Sequence, residues 1–327
     1  MNFVRATRDR IDKPFMSSGV MARPAEGAVA AALLGVAGAL ATRSRKPPAQ
    51  PAHPALKAGQ RLNRAAGILA ASVFADSGVE HYRGSFQNPA MFASLVVSAL
   101  SLAASGHGLG DRRAESHRVR HGIYSLAALT GLVGTGFHAY NICKRPGGVS
   151  WLNLFYAAPI GAPFALALSG ALGFTAERVR NHRPGVLPRV FRLPAGRAMA
   201  ALASVGLLGT MGEAALMHFR GAFHNPAMFL PVTVPPVAAA LLGAVAVEPP
   251  GSPRERWFTR LWLKLTATMG LVGVGFHIFG VSRNMGGWRN WSQNVLNGPP
   301  IPAPPSFTGL ALAGLAALEL LREHPDA

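Results

Sequence analysis

The sequence predicts an all-α polytopic membrane protein, and three observations lead to that fold class. Half of the residues (50%) are hydrophobic and only 14% are charged, which is too apolar for an ordinary soluble domain of 327 residues. Long apolar runs recur along the chain, and the basic residues behind its formal net charge of +18 lie in short clusters between those runs. Two sequence segments also return almost unchanged, which predicts an internal duplication.

Apolar stretches long enough to cross about 30 Å of hydrocarbon as helices define the predicted spans. Several are rich in Ala and Gly, which permits close approach between membrane helices. A soluble all-helical protein is the alternative, and the scarcity of charges inside the runs argues against it. The nine predicted spans are 26–42, 65–82, 89–107, 121–141, 158–175, 198–219, 226–247, 259–281 and 301–321.

The duplication rests on matched motifs. The run RGSFQNPAMF at 83–92 returns as RGAFHNPAMF at 220–229, and GLVGTGFH ending at His138 returns as GLVGVGFH ending at His277. A weaker match links the proline-rich segments that precede the last helix of each copy. Each copy therefore holds four helices. Because an even number of crossings returns the chain to its starting side, we expect two parallel repeats related by an axis along the membrane normal.

These features divide the chain into seven predicted segments. They are a polar N-terminal segment 1–25, an extra transmembrane helix 26–42, a basic linker 43–64, a first four-helix repeat 65–175, a basic linker 176–197, a second four-helix repeat 198–321 and a tail 322–327.

The distribution of basic residues predicts the orientation, because cytoplasmic loops of membrane proteins are enriched in Lys and Arg. Of the 32 Lys and Arg, the loops on one side of the predicted topology carry about twice as many as those on the other. We expect the richer side to be cytoplasmic, in a multi-pass protein of a bacterial inner membrane. The basic N-terminus opposes this count, and it lies inside if the first span does not cross the membrane.

Four histidines occupy matched positions in the two copies. His81 and His218 end one helix type, and His138 and His277 lie in the last turn of another. Both helix types run from the cytoplasm outwards, so the four imidazoles are predicted to lie near the outer membrane face. The other seven histidines lack matched partners and are interpreted as ordinary polar surface.

Glycines accompany the second histidine pair and suggest a cofactor. Gly131 and Gly134 precede His138 on the same helical face, as Gly270 and Gly273 precede His277. A bare face beside an imidazole leaves a slot for a flat ligand, and neutral imidazole is an axial ligand of haem. The sequence therefore makes b-type haem the candidate cofactor, with the four histidines as its iron ligands. Close helix packing is the alternative explanation of the glycines.

Charged residues near the histidines suggest further roles. Arg83 and Arg220 follow the first histidine pair and are candidates to bind haem propionates or lipid phosphates. Asp76 and Glu213 occupy matched positions inside a predicted span, where an acid is costly. They are candidates for a proton relay, or for a buried polar contact between helices.

The leading hypothesis is a membrane subunit of a redox complex that passes electrons between an extracytoplasmic redox partner and quinone. The alternatives are a proton-coupled transporter that uses Asp76 and Glu213, and a non-catalytic membrane anchor for an extracytoplasmic enzyme. The single cysteine, Cys143, excludes an intramolecular disulfide and thiolate-based clusters. Basic residues scattered between apolar runs argue against nucleic acid as a partner. No catalytic motif assigns an enzymatic reaction.

Overall fold

The computed structural model describes residues 54–181, 188–190, 192–248 and 252–323, and within them the chain consists of helices, their connecting loops and one short hairpin. The N-terminal segment 1–25 and the extra helix 26–42 lie outside the described residues. The helices are α1 (Pro54–Arg83), α2 (Met91–Gly110), α3 (Arg118–Cys143), α4 (Trp151–Tyr156), α5 (Gly161–Arg180), α6 (Ala195–Arg220), α7 (Leu230–Val247), α8 (Pro253–Arg283), α9 (Trp291–Asn297) and α10 (Pro305–Glu323). Strands β1 (Arg189–Val190) and β2 (Leu193–Pro194) pair antiparallel between α5 and α6.

The all-helical prediction is confirmed, and the helix bounds differ most at α1. This helix begins at Pro54, although residues up to 64 were predicted to form a linker. Its first turns are amphipathic rather than apolar: Ala58 and Leu62 are fully buried, while Arg61 is exposed. A search for uniformly apolar runs misses such a face, because a packed helix needs only one apolar side.

Four segments are long and apolar enough to cross a membrane, judged by length and composition within the described residues. They are Met91–Gly110, Ala195–Arg220, Pro226–Val247 and Pro253–Arg283. The third combines a 3-10 turn, Pro226–Phe229, with α7. These four helices indicate a membrane protein, and membrane crossing by the other predicted spans stays a prediction.

The helices pack in the same order in two halves, which we define as the first half (α1 to α5) and the second half (α6 to α10). In the first half α1 contacts α2 and α5, and α3 contacts α2 and α5. In the second half α6 contacts α7 and α10, and α8 contacts α7 and α10. The halves meet where α1 packs on α10 and α5 packs on α6.

Two glycines allow the halves to approach closely. A Cβ at Gly309 would lie 3.0 Å from Leu69 of α1, and one at Gly206 would lie 3.1 Å from Leu168 of α5. Each leucine therefore packs against a backbone that has no side chain. These two leucine–glycine contacts bring the halves close together, and the start of α5 lies beside the middle of α6.

Candidate functional site

The loop after α1 positions His81, and the loop after α6 positions His218 in the same way. Each loop turns through two non-glycine residues with positive φ, Ser85 and Phe86 in the first half. The next helix then returns beside the histidine, and the His81 Nδ1 lies 3.0 Å from the Met91 carbonyl oxygen. The His218 Nδ1 lies 2.8 Å from the carbonyl oxygen of Met228.

An asparagine and a stacked phenylalanine pair hold each of these loops. The Asn88 Oδ1 accepts a hydrogen bond from the Ala90 N–H at 2.9 Å. The rings of Phe86 and Phe92 stack with centroids 4.4 Å apart, and Phe86 meets His81 edge-on at 6.2 Å. Asn225, Phe223 and Phe229 repeat these contacts around His218.

The second histidine pair is held by the segments that precede α5 and α10. The His138 Nδ1 lies 2.5 Å from the Pro159 carbonyl oxygen, and the His277 Nδ1 lies 2.7 Å from that of Pro300. A carbonyl only accepts hydrogen bonds, so all four imidazoles donate from Nδ1. In a neutral imidazole this leaves the Nε2 lone pair as the acceptor, which is how metal-binding histidines are commonly oriented.

The histidines of each half interact electrostatically with one another. His81 lies within electrostatic range of His138, and His277 lies within electrostatic range of His218. All four side chains are half-buried. The sequence left open whether the histidines pair within one copy or across the two copies. The electrostatic interactions favour pairing within each half.

The glycines beside His138 and His277 do not form the open slot that the sequence suggested. A Cβ at Gly131 would overlap the backbone of Ala167 in α5, and one at Gly134 would lie 3.0 Å from the Pro163 Cβ. Gly270 and Gly273 face α10 in the same manner, against Thr308 and Pro304. Their role in this structure is close helix packing, because the neighbouring helix fills the bare faces beside these four glycines.

The two arginines that follow the first histidine pair have different partners. The Arg83 Nη1 lies 2.8 Å from the Glu80 Oε1. Met217 stands at the position in the second half that matches Glu80, and the Arg220 guanidinium lies 5.3 Å from the ring centroid of Tyr156. Both arginines are exposed at the end of the molecule that carries the histidines.

Asp76 of α1 and Glu213 of α6 interact electrostatically across the two halves. They lie within electrostatic range of one another, and the Glu213 carboxylate accepts a hydrogen bond from the Gly161 backbone N–H. At the matching position in the segment before α10 stands Pro302, which has no N–H to offer. There the Ser72 hydroxyl instead donates to the Pro302 carbonyl oxygen, at 2.5 Å.

A cleft of about 200 Å³ opens at this contact. Glu213 lines it together with Pro159, whose carbonyl holds His138. The remaining walls are largely apolar and come from α4, α5 and α6. The cleft thus links one acid of the predicted proton relay to the support of one histidine.

Sequence reasoning missed a buried ion cluster at the opposite end of the first half. Arg120 is fully buried, and its Nε and Nη2 donate to the two oxygens of Glu177 at 2.7 and 3.0 Å. Its Nη1 donates to the Asp111 Oδ2 at 2.7 Å, and the Glu177 Oε2 also accepts from the His117 N–H at 2.7 Å. Arg180, also buried, donates to the Asp111 carbonyl oxygen at 2.9 Å.

Two histidines that were interpreted as surface residues belong to this cluster. His107 accepts a hydrogen bond from Arg120 at 2.8 Å, and His117 is 5% exposed. The clue in the sequence was Glu177, an acid one turn before Arg180 at the end of an apolar run. Three further histidines, His53, His182 and His324, lie outside the described residues.

The cluster also changes the acidity of Asp111. Partial burial raises the pKa of this carboxyl, but hydrogen bonds from the Arg120 guanidinium and the Arg113 N–H outweigh burial and hold it below the ordinary 3.8. Asp111 is therefore ionised at neutral pH. Paired and hydrogen-bonded in this way, the buried charges are compensated.

The matched histidines give each half two imidazole nitrogen donors. No group of three or more His, Cys, Asp or Glu suited to a metal ion occurs in the described ranges. Haem iron needs only two axial ligands, and each half supplies two imidazoles whose Nδ1 is already engaged. Compared with known proteins, the chain matches no family model, no curated protein and no solved structure.

Proposed function

We propose that this protein is a multi-pass subunit of a redox complex in a bacterial inner membrane, and that it binds b-type haem through His81 with His138 and through His218 with His277. One observation carries the proposal. All four matched imidazoles donate from Nδ1 to a backbone carbonyl, in two pairs, one in each half. Such bonds orient the ring and leave Nε2 free for iron.

The chain's own residues contribute orientation and charge. Met91 and Pro159 fix the first imidazole pair through their carbonyl groups, and Arg83 stands at the exposed end of the same half. Bound haem would supply one-electron chemistry, with an extracytoplasmic protein and quinone as partners. The glycines that the sequence suggested as cofactor contacts pack against neighbouring helices instead and are not part of the proposed haem sites: Gly131, Gly134, Gly270 and Gly273.

The proposed topology has nine spans and two parallel four-helix repeats. The matched helix contacts of the two halves and their repeated loops support duplication. The excess of Lys and Arg at the end opposite the histidines supports an outward-facing histidine end. Accessibility of a cysteine introduced at Ser85 or Ala222 to an impermeant reagent in intact cells tests this orientation.

An optical spectrum of the full chain, purified after expression in a haem-replete host, tests the proposed function. We expect a b-type band in the reduced-minus-oxidised difference spectrum. His81→Ala and His277→Ala should each remove part of the band, and the double variant all of it. His224→Gln is the matched control, because His224 is exposed and the first half already has Gln87 at that position.

Two results would overturn this function. One is a wild-type spectrum without the band from correctly folded protein. The other is a band that survives in the double variant with unchanged intensity. A variant that fails to fold is recognised by its gel-filtration profile, and His81→Gln and His277→Gln then serve as the milder pair.

A second candidate function is proton-coupled transport. Asp76 and Glu213 lie in electrostatic range of each other, and Glu213 lines the cleft between the halves, where transporters built from repeats place their substrates. This candidate predicts proton movement in reconstituted vesicles that is lost in Asp76→Asn or Glu213→Gln and retained in His81→Ala. If both acid variants move protons like the wild type, this candidate fails.

A third candidate is a non-catalytic anchor for an extracytoplasmic enzyme. Exposed aromatic residues favour it, since Trp151, Tyr156 and Phe219 cluster around Arg220 at the histidine end. Replacing Trp151 by Ala should then release a partner without changing the absorbance of the protein. Retention of every co-purified protein by that variant would contradict the anchor.

A further inference from the structure

A basic pocket lies at the end of the molecule opposite the histidines. Its volume is about 380 Å³, and it is formed by α1, α8 and α10. The charged residues that line it are Arg61, Arg64, Arg260, Lys264, Arg322 and Glu319. Five cations around one carboxylate give the pocket a net charge near +4 at neutral pH, so it is a strong local attractor of anions.

The single carboxylate does not neutralise these cations. Glu319 forms ion pairs with Arg61 and, at 4.0 Å, with Arg322. Arg64, Arg260 and Lys264 have no ion pair among the described residues. Three cations in one pocket repel each other, and an anion between them would relieve that repulsion.

The depth of the pocket points to a lipid rather than to a solute. Lys264 lies well inside the apolar helix Pro253–Arg283, one turn beyond Arg260 on the same face. Leu312 and Leu315 of α10 supply an apolar wall beside the charges. A phosphate that carries acyl chains satisfies both surfaces, whereas free phosphate satisfies only the cations.

We propose that this pocket binds the phosphate headgroup of an acidic phospholipid from the adjacent leaflet. Basic pockets between membrane helices at the cytoplasmic side recognise such headgroups, and the Lys and Arg count assigns this end to the cytoplasm. Arg260 and Lys264 hold the phosphate, Arg64 lines the same cavity, and Glu319 keeps Arg61 and Arg322 in position. The site is independent of the proposed haem sites.

Binding is tested by native mass spectrometry of the full chain in detergent micelles doped with phosphatidylglycerol or, in parallel, with phosphatidylcholine. We expect the wild type to retain phosphatidylglycerol selectively. Each cation near an anionic lipid surface contributes roughly fivefold in affinity, so Arg260→Gln with Lys264→Gln should weaken retention roughly 30-fold. Arg112→Gln with Arg118→Gln is the matched control, because both arginines are exposed at the same end and outside the pocket.

Each outcome decides the proposal. Selective retention that is lost in the pocket variant and kept in the control supports it. Equal retention in the two variants overturns it, as does equal binding of the two lipids by the wild type. Another outcome is a wild type that retains no lipid selectively and is protected from thermal unfolding by millimolar inorganic phosphate at constant ionic strength. That result overturns the lipid as ligand and assigns the pocket to a soluble phosphoanion. If the double variant does not fold, Arg64→Gln alone should lower retention roughly fivefold.

Discussion

The two halves of the molecule make the same contacts at the end that carries the histidines and different contacts at the opposite end. At the histidine end, positive-φ loops, asparagine caps, stacked phenylalanines and Nδ1 hydrogen bonds occur in both halves. At the opposite end, as far as the described ranges reach, only the first half has a buried ion cluster, formed by Arg120, Glu177 and Arg180.

The second half replaces this cluster with small or apolar residues. In register with the repeated motifs, Thr259 stands for Arg120, Leu318 for Glu177 and Leu321 for Arg180. All three are buried, with exposures of 2%, 1% and 6%. The same fold position is therefore filled either by compensated charges or by packed leucines.

The two ends of the molecule therefore differ in how strictly they require particular side chains. Either solution closes the cluster end, so its side chains are interchangeable as a set. At the histidine end the same residues recur together with a strained backbone, and retained strain of this kind is typical of functional sites. The comparison thus favours the histidine end as the site of function.

We expect the largest loss of stability when one partner is removed from the buried cluster of Arg120, Glu177 and Arg180. Glu177→Leu removes the acid that Arg120 and Arg180 share and leaves Arg120 paired with Asp111 alone. Because a buried charge pair is broken, the variant should lower the free energy of unfolding by about 3–5 kcal/mol. Changing all three residues to those of the second half, with Arg120→Thr, Glu177→Leu and Arg180→Leu, should cost far less. Chemical denaturation in micelles compares the two. If the triple variant is no more stable than Glu177→Leu, the side-chain sets of the two halves are not interchangeable.

The next largest loss of stability should follow when a glycine at a close helix contact is replaced by alanine. Gly131→Ala should destabilise the protein by about 1–3 kcal/mol, because the new methyl group meets the backbone of α5. Gly136→Ala is the control: its Cβ meets nothing within 4 Å, and Ala favours helix by about 1 kcal/mol. Gly270→Ala and Gly275→Ala should give the same contrast in the second half. Equal effects within either pair of variants would refute the packing role.

Acid should weaken the first half through Asp111. Its folded pKa lies below the unfolded value near 3.8, so its stabilisation is complete above that value and is lost as the pH falls through the folded pKa. Asp111→Asn should remove this pH dependence and cost about 1.5 kcal/mol at neutral pH. Glu248→Gln, at the matching exposed position, should change neither quantity. Unfolding curves recorded at several acidic pH values measure both variants.

The smallest effect concerns the strained loops. Ser85 and Ala222 both have φ of 54°, a region that glycine enters at little cost. Ser85→Gly and Ala222→Gly should each stabilise the protein by about 0.5–1 kcal/mol, and by similar amounts. A clear difference between them in thermal unfolding would show that the two loops are not equivalent.

The sequence was sufficient for the all-helical class, because long apolar runs are a local signal. It was not sufficient for what the histidines contact, since the carbonyls of Met91 and Pro159 reach them only through tertiary packing. The glycines near His138 were ambiguous because an open slot and a close helix contact require the same bare backbone. Arg120 and Glu177 escaped notice because they lie at opposite ends of different helices and pair only in the fold.

Haem binding is tested by the ratio of haem to protein in the purified full chain, measured by extracting the haem. We expect one haem for each half, with His138→Ala removing the haem of the first half and His218→Ala that of the second. A folded protein that contains no haem, or variants that retain the full amount, would contradict it.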